Sequence, residues 1–161
     1  MNATDEAAFR EFVGARLEPL RRTAYLLCRD WHTADDLVSS TAVKLYRHWH
    51  RVQGVDNPDG YARRVLLRCW LDEQRRPWRR ERVTDQLPER AAPERDESWR
   101  LTVLNLLAGL PARKRAILVL RFYCDLSVEE TAEILGCAPG TVKSQTTRGL
   151  DLLRTALTRT G

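Results

Sequence analysis

The residue types best suited to chemistry lie between positions 139 and 157, close to the C-terminal end of the sequence. Lys and Arg side chains there can bind phosphates and raise the affinity for DNA through counterion release. Gln145 can form two hydrogen bonds with an adenine in the major groove. Helical spacing predicts that these polar side chains lie on the exposed surface of one helix. The candidate contacts to duplex DNA are Thr141, Lys143, Ser144, Gln145, Thr147 and Arg148.

The residues before this helix predict a second helix that is joined to it by a tight turn. Ser127 and Glu130 have the spacing of a capping box, in which each side chain bonds the backbone N–H of the other residue. Ala132, Gly136 and Val142 supply the small, turn and apolar positions of a helix-turn-helix, whose helices cross closely at a steep angle. An ordinary helical hairpin with a solvated polar face is the alternative. Because the cap, turn and spacing agree, we favour DNA binding.

A second candidate site is the Arg-rich stretch 61–82, which has eight Arg residues, three carboxylates and a net charge of +5. Tyr61, Trp70 and Trp78 are interleaved with the Arg residues. Arg can bind phosphate, and aromatic faces can hold unstacked bases for roughly 1–3 kcal/mol each. The stretch is therefore typical of a site that binds melted, single-stranded DNA. The alternative is that the Arg residues are only solvated and that Trp70 lies in the core, which we expect for Trp70 in particular.

The elements that position these residues are helices, and periodicity predicts an all-α fold of two small domains. The net charge of +5 and the pI of about 9.3 favour anionic partners. Residues 1–82 and 99–161 each carry +4, whereas residues 83–98 carry −3 and contain two prolines. We interpret 83–98 as a flexible linker between domains 1–82 and 99–161. A capped loop within a single domain is the alternative.

Capping residues and helix-breaking residues give the expected helix boundaries. Pro19 predicts a break or kink in the first helix. Thr33 is the expected N-cap of the second, with Asp35 and Asp36 in its first turn. The helix that begins at Pro111 carries the apolar residues Ile117, Leu118, Leu120 and Phe122. The predicted helices span residues 6–29, 33–51, 59–76, 98–109, 111–124, 127–135 and 139–157.

Catalytic, metal and membrane functions are not predicted. The sequence has no nucleophile motif, Gly-rich phosphate loop or HExxH, and His48 and His50 point to different helix faces. No CxxC pair exists among the four cysteines, which we expect to be reduced and mostly buried. No cofactor is expected. The polar N-terminus and the lack of a long apolar run predict a cytoplasmic protein without a membrane partner.

With these motifs the chain resembles an extracytoplasmic-function sigma factor, the smallest type of bacterial RNA polymerase sigma factor. The run GTVKS at 140–144, which follows ILGC, is the most specific part of the resemblance. The resemblance implies that residues 1–82 bind core polymerase and the promoter −10 element, and that residues 99–161 bind the −35 element. It implies a factor that directs promoter-specific initiation and is not an enzyme.

The resemblance also implies roles for single residues. The run ADDLV at 34–38 matches the helix that docks on the clamp helices of the polymerase β′ subunit, although Ser39 and Ser40 depart from the family's pattern. Implied partners are core polymerase through the β′ clamp helices and β flap, promoter DNA, and an anti-sigma factor as a further candidate. The implied polymerase contacts are Asp35, Asp36, Val38, Ser39 and Lys44. The implied −10 contacts are Arg64, Arg68, Asp72, Arg75, Arg76, Trp78 and Arg79.

Three positions depart from the family in the DNA-binding parts. The family often has Asn where Arg68 stands. It commonly has Arg where Gln145 stands, so the base preference of this helix is expected to differ from that of the family. A large aliphatic residue is common where Thr131 stands. The competing interpretation is a stand-alone helix-turn-helix regulator that binds palindromes as a dimer. Against it, residues 1–82 lack a receiver or ligand-domain pattern, and the Arg-rich stretch would be unexplained.

Overall fold

The computed structural model describes residues 2–75 and 98–160, with side chains in the second range from 103 to 159. The described residues are helical apart from short connections and contain no strand, which confirms the all-α fold. The α-helices are α1 (Ala3–Cys28), α2 (Trp31–Arg47), α3 (Trp49–Gln53), α4 (Pro58–Gln74), α5 (Ser98–Ala108), α6 (Ala112–Leu118), α7 (Val128–Leu135) and α8 (Pro139–Thr160). A π-helical turn, Val119–Tyr123, continues α6.

The chain forms two compact units, Met1–Trp70 and Leu71–Gly161, called unit 1 and unit 2. The predicted linker at 83–98 lies outside the described residues except for Ser98, which begins α5. The domain boundaries taken from sequence therefore stay a prediction. No disulfide is formed within the described part of the chain; Cys69 is buried, and the other three cysteines are half-buried.

Asp30, and not Thr33, is the N-cap of α2. Its carboxylate accepts hydrogen bonds from the backbone N–H groups of His32 and Thr33, both at 3.3 Å, and from Thr33 Oγ1 at 2.6 Å. These hydrogen bonds hold the pKa of Asp30 below its usual value, and the bond from the Thr33 hydroxyl has the largest effect. The helix thus begins two residues earlier than predicted, and Asp35 and Asp36 fall in its second turn.

Of the break or kink predicted at Pro19, the break is wrong, because α1 continues through this residue. A proline removes one backbone donor, and packing on both sides of it can hold the helix together. Leu20, Ala24 and Leu27 follow Pro19 at helical spacing and are all buried. The hydroxyl of Thr23 also donates to the carbonyl of Pro19 over 3.0 Å.

The core of unit 1 is built from buried side chains of α1, α2, α3 and α4. Trp49, on the short helix after α2, makes edge-to-face contacts with Phe9 and Phe12, with ring centroids 5.5 and 5.4 Å apart. Such aromatic pairs add about 0.5–1.5 kcal/mol beyond the area that they bury. The fully buried large side chains of this unit are Leu27, Leu37, Thr41, Leu45, Val52, Leu66, Leu67 and Trp70.

The core of unit 2 joins α6, α7 and α8. Ile117, Ala132 and Val142 are buried together, with Val128, Leu135 and Cys137 packed against them. Phe122 does not belong to this core, since it is 58% exposed. A π turn inserts an extra residue into the helical register. Leu120 therefore stays buried while Phe122 is turned to solvent.

Replacing Thr131 with Val is expected to stabilise unit 2 by about 1 kcal/mol, because it removes a buried hydroxyl that has no compensating hydrogen bond. Thr131 is fully buried, and its Oγ1 has no hydrogen-bond partner in the described part of the chain. Thr41→Val is the matched control, since Thr41 is equally buried but its Oγ1 donates to the carbonyl of Leu37 over 2.7 Å. Thermal unfolding should show stabilisation for Thr131→Val alone; equal effects would contradict this explanation.

Candidate nucleic-acid interface

The helix-turn-helix forms as its local sequence predicts. The backbone N–H of Ser127 donates to Glu130 Oε1 over 3.1 Å, and the N–H of Glu130 donates to Ser127 Oγ over 3.0 Å, which confirms the capping box. Gly136 ends α7 with φ 67° in the left-handed region, as expected. The N–H of Cys137 donates to the carbonyl of Ala132 over 3.0 Å, so the turn into α8 is tight.

A glycine on the inner face of α8 allows close packing against α6. Val142 and Gly149 are both buried, seven residues apart on the same face. A Cβ atom added to Gly149 would lie 3.2 Å from Leu118 Cδ1, closer than a comfortable contact. Sequence reasoning missed Gly149; the available signal was a glycine inside a helix, two turns after Val142.

The outer face of α8 carries the candidate contacts to duplex DNA. An α-helix turns by about 100° per residue, so these six side chains lie within an arc of about 200° around the axis of α8. Val142 and Gly149 lie outside this arc. Lys143 and Arg148 are exposed, and neither forms an ion pair with any residue that the structure describes. Both cations are therefore available for phosphates. Ser144 and Thr147 are also exposed, and Thr141 and Gln145 are half-buried.

Hydroxyl groups on this face bond to the helix itself. Ser144 Oγ donates to the carbonyl of Thr141 over 3.2 Å, and Thr147 Oγ1 donates to that of Lys143 over 3.1 Å. These bonds hold each hydroxyl against the backbone, while each oxygen retains a lone pair as an acceptor.

One face of α4 forms a second polar stripe. On this face Tyr61, Arg64, Arg68 and Asp72 follow one another at spacings of three or four residues, and Arg75, directly after the last residue of α4, continues the series; helical geometry places them within an arc of about 80°. Arg68, Asp72 and Arg75 are exposed, and Tyr61 and Arg64 are half-buried.

The opposite face of α4 packs into unit 1. Leu66, Cys69 and Trp70 are buried there, so the expectation that Trp70 is a core residue is confirmed. Tyr61 is consequently the aromatic residue of the described stripe. The predicted contacts Arg76, Trp78 and Arg79 lie outside the described residues.

The start of α4 is fixed by two contacts that sequence reasoning missed. Asn57 Oδ1 accepts a hydrogen bond from the N–H of Gly60 over 3.0 Å and so caps the helix. A Cβ atom on Gly60 would lie 2.6 Å from Asn57 Nδ2, so a larger residue here would make the Asn57 side chain shift. Arg16 Nε donates to Asp59 Oδ1 over 2.6 Å and ties the first turn of α4 to α1. The run Asn57-Pro58-Asp59 could have indicated the cap from the sequence. No residue near Asp59 in the sequence indicates its contact with Arg16.

Comparison with known proteins gives the family. Residues 12–80 match the family described as Sigma-70 region 2, and residues 100–153 match Sigma-70, region 4. RNA polymerase sigma-E factor of Streptomyces coelicolor is 34% identical over 151 residues, which cover 92% of this chain and 85% of that protein. The chain belongs to the sigma-70 family of RNA polymerase sigma factors.

This sigma factor is of the extracytoplasmic-function type. ECF RNA polymerase sigma factor SigL of Mycobacterium tuberculosis is 29% identical, over 99% of this chain and 94% of that protein. The sigma factor RpoE of Bartonella quintana, solved with the anti-sigma factor NepR, shares the fold with a TM-score of 0.70 and 23% identity. That alignment covers 92% of this chain and 98% of RpoE. CnrH, solved with the cytosolic domain of CnrY, aligns with a TM-score of 0.65 and 21% identity, over 97% and 91% of the two chains.

Membership of the family gives the sigma factor its function. It binds core RNA polymerase and promoter DNA and directs promoter-specific initiation of transcription. A stand-alone regulator is not favoured, because residues 12–80 match sigma region 2. The family consists of non-catalytic regulators. Among the described residues, no cluster of His, Cys, Asp or Glu is placed to hold a metal ion. No described helix is long and apolar enough to cross a bilayer.

The candidate polymerase contacts of the sigma factor lie on α2. Four of them, Asp35, Asp36, Ser39 and Lys44, are exposed, whereas Val38 is buried with 7% of its surface accessible. The side chain of Val38 thus offers little surface to a partner and instead holds the helix in place.

The two neighbouring carboxylates of α2 differ in their surroundings. Arg21 Nε donates to Asp35 Oδ1 over 2.7 Å, and this hydrogen bond raises the pKa of Arg21. The guanidinium also lies 4.3 Å from the ring centroid of Trp31, which stacks on Tyr25. Asp36 forms no ion pair with the described residues. Its charge is therefore more available to an external partner than that of Asp35.

Proposed function

We propose that the sigma factor reads the −35 element by placing α8 in the major groove. The observation that carries this proposal is the division of α8 into two faces. Val142 and Gly149 lie on the packed face, and the six polar candidates lie on the other. Lys143 and Arg148 bind phosphates and fix the position of the helix, and Gln145 reads an adenine.

The α4 stripe binds the −10 strand as it melts. Arg64, Arg68 and Arg75 supply cations along one helix face, and Tyr61 at its start offers a ring on which an unpaired base can stack. Arg76, Trp78 and Arg79 extend the same basic, aromatic segment in the sequence. The domains assigned from sequence, 1–82 and 99–161, thus bind different promoter elements. The connection between them raises the overall affinity through effective concentration.

Arg68→Ala is expected to lower the fraction of open promoter complexes roughly fivefold, because it removes one exposed cation from the proposed single-strand site. Permanganate reactivity of thymines in the −10 region measures this fraction. Arg63→Ala is the matched control, since Arg63 is on the same helix but lies about 140° from Arg68 around its axis. A premelted promoter should restore most of the loss. Equal losses for Arg63→Ala and Arg68→Ala would contradict the assignment of the stripe.

Core polymerase binds the exposed face of α2, with Asp36 as the main charged contact and with Ser39 and Lys44 beside it. Asp36→Arg is expected to weaken binding to core polymerase at least about tenfold, since attraction becomes repulsion. Asp35→Asn should have a smaller effect, because Asp35 is already bonded to Arg21. Asp56→Arg, in the exposed connection before α4, is the charge-matched control. Titration of core polymerase with labelled protein measures these affinities; an equal loss for Asp36→Arg and Asp56→Arg would overturn the assignment.

The protein has no catalytic reaction of its own and acts in the cytoplasm, where its polymerase and promoter are found. An anti-sigma factor is a further partner that we propose for this chain. The support for this partner is that RpoE of Bartonella quintana, which shares the fold, was solved with the anti-sigma factor NepR.

A further inference from the structure

Tyr61, on which an unpaired base of the −10 strand stacks in the proposed function, lies in the first turn of α4. Its N–H donates to the carbonyl of Asn57 over 3.0 Å, which is the first backbone hydrogen bond of the helix. The first buried residue of α4 is Ala62, so the turn before it is not held by the core. Helix ends fray, because their first N–H groups have no partner within the helix. The position of Tyr61 therefore depends on the contacts that hold this turn.

A side chain of α1 holds the turn from outside the helix. Arg16 Nε donates to Asp59 Oδ1 over 2.6 Å. Asp59 and Tyr61 are two residues apart, which places them about 200° apart around the axis of α4. The contact with Arg16 thus fixes the turn from the side that does not carry Tyr61.

The guanidinium of Arg16 is itself fixed by α1. Arg16 Nη1 donates to the carbonyl of Phe12 over 2.9 Å, and the guanidinium carbon lies 3.8 Å from the centroid of the Phe12 ring. The Phe12 ring contacts Trp49 edge-to-face, and Trp49 is only 4% exposed. Because the core holds Phe12 and Phe12 holds Arg16, little side-chain entropy is left to lose when Arg16 meets Asp59. This pair is therefore a firmer tether than an ordinary ion pair at a protein surface.

The bonds of Arg16 indicate that its charge is used within unit 1. Its Nε and Nη1 atoms both donate there, and only 25% of its side chain is exposed. Arg68 in the α4 stripe is different, since it is exposed and forms no ion pair with the described residues. Phosphate contacts are therefore expected from the stripe and not from Arg16.

We propose that Arg16 is a positioning residue for the capture of the melted −10 strand. Through Asp59 it fixes the first turn of α4, and thereby holds Tyr61 where an unpaired base stacks on it. The inference rests on the proposed function, in which Tyr61 binds that base. Arg16 does not touch DNA. Its contribution is to keep the ring in place beforehand, which lowers the entropy lost when the base binds.

Arg16→Met tests this inference in the polymerase holoenzyme, formed with saturating sigma factor. The probe is a forked DNA with an unpaired −10 strand, taken from a promoter that the sigma factor transcribes, and anisotropy measures its affinity. We expect Arg16→Met to lower the affinity about fivefold, because the ring is no longer held in place. Asp59→Ala removes the same contact from the other helix and should have an effect of similar size.

The same helix supplies a matched control, Arg21→Met. Arg21 also lies on α1, donates from Nε to a carboxylate of another helix, Asp35, and lies over an aromatic ring, that of Trp31. Its pair does not involve α4, so Arg21→Met should change the affinity for the forked DNA less than about twofold. Thermal unfolding should change little, and by a similar amount, for Arg16→Met and Arg21→Met.

Two further measurements distinguish a positioning role from a contact to DNA and from a general loss of structure. Tyr61→Ala should lower the affinity for the forked DNA about tenfold. In the Tyr61→Ala background, Arg16→Met should lower it less than about twofold further, because the two residues act through one contact. Arg16→Met should also leave the slope of log affinity against log salt unchanged, whereas loss of a phosphate contact to a single strand would reduce it by about 0.7.

The outcomes separate this inference from the proposed function. If Tyr61→Ala lowers the affinity but Arg16→Met does not, the inference is wrong and the proposed function stands. The inference is equally wrong if the losses of Arg16→Met and Tyr61→Ala add, if the salt slope falls, or if Arg21→Met loses as much as Arg16→Met. If Tyr61→Ala leaves the affinity unchanged, the proposed stacking on Tyr61 fails and the inference fails with it.

Discussion

Lys143→Ala combined with Arg148→Ala is expected to weaken binding to the −35 duplex roughly 10- to 100-fold at physiological salt. Two fewer phosphate contacts should also reduce the slope of log affinity against log salt by about 2. The fold should persist, because both side chains are exposed and form no ion pair with the described residues. Anisotropy of a labelled −35 duplex, titrated with polymerase holoenzyme at several salt concentrations, measures both quantities.

The control for this experiment removes the same charge elsewhere in unit 2. Arg113→Ala combined with Lys114→Ala takes two cations from α6 and leaves α8 unchanged. We expect this control to lose no more than a few-fold in affinity, through the general electrostatic attraction to DNA. If both double variants lost the same affinity, net charge and not the outer face of α8 would account for binding.

Ile117→Ala is expected to destabilise unit 2 by about 2–5 kcal/mol, because it opens a cavity in a closely packed core. Ile117 is fully buried and shares its cluster with Ala132 and Val142, one from each helix of the helix-turn-helix. The loss is a large fraction of the 5–15 kcal/mol that is typical of a whole domain. Thermal and denaturant unfolding followed by circular dichroism measure it.

An exposed aliphatic residue supplies the control for Ile117→Ala. Val43 on α2 is 50% exposed, and Val43→Ala should change the stability by less than about 0.5 kcal/mol. Binding to the −35 duplex should fall for Ile117→Ala, since α8 loses the core that positions it. A loss of less than about 1 kcal/mol for Ile117→Ala would show that the cluster does not hold the helix-turn-helix together.

The parts of the fold that sequence predicted well are those specified by neighbouring residues. The capping box of Ser127 and Glu130 and the left-handed turn at Gly136 each need only a few consecutive positions. Trp70 was assigned to the core because helical periodicity placed it beside Leu66 and Cys69. The same periodicity predicted the exposed face of α8.

The parts that sequence did not predict depend on contacts between distant residues or on competition between similar local signals. Arg16 meets Asp59 across 43 positions, and nothing near either residue indicates the pair. Asp30 and Thr33 are both suited to cap α2, and in the structure Asp30 is the N-cap. The π-helical turn has no composition that marks it, so the exposure of Phe122 could be found from the structure alone.

The bond between Arg21 and Asp35 shows how such a contact changes a functional assignment. In the sequence, Asp35 and Asp36 are equivalent carboxylates beside each other. In the structure, Arg21 Nε donates a hydrogen bond to Asp35 Oδ1 over 2.7 Å, whereas Asp36 forms no ion pair with the described residues. The structure therefore separates two candidates that the sequence could only name together.

Run-off transcription with purified core polymerase, on a pool of candidate promoters, tests the central claim most directly. We expect promoter-specific transcripts only when the protein is present, and fewer of them from −35-dependent promoters with Lys143→Ala and Arg148→Ala. If no transcript appears from any promoter and no stable complex with core polymerase forms, the function as a sigma factor is contradicted.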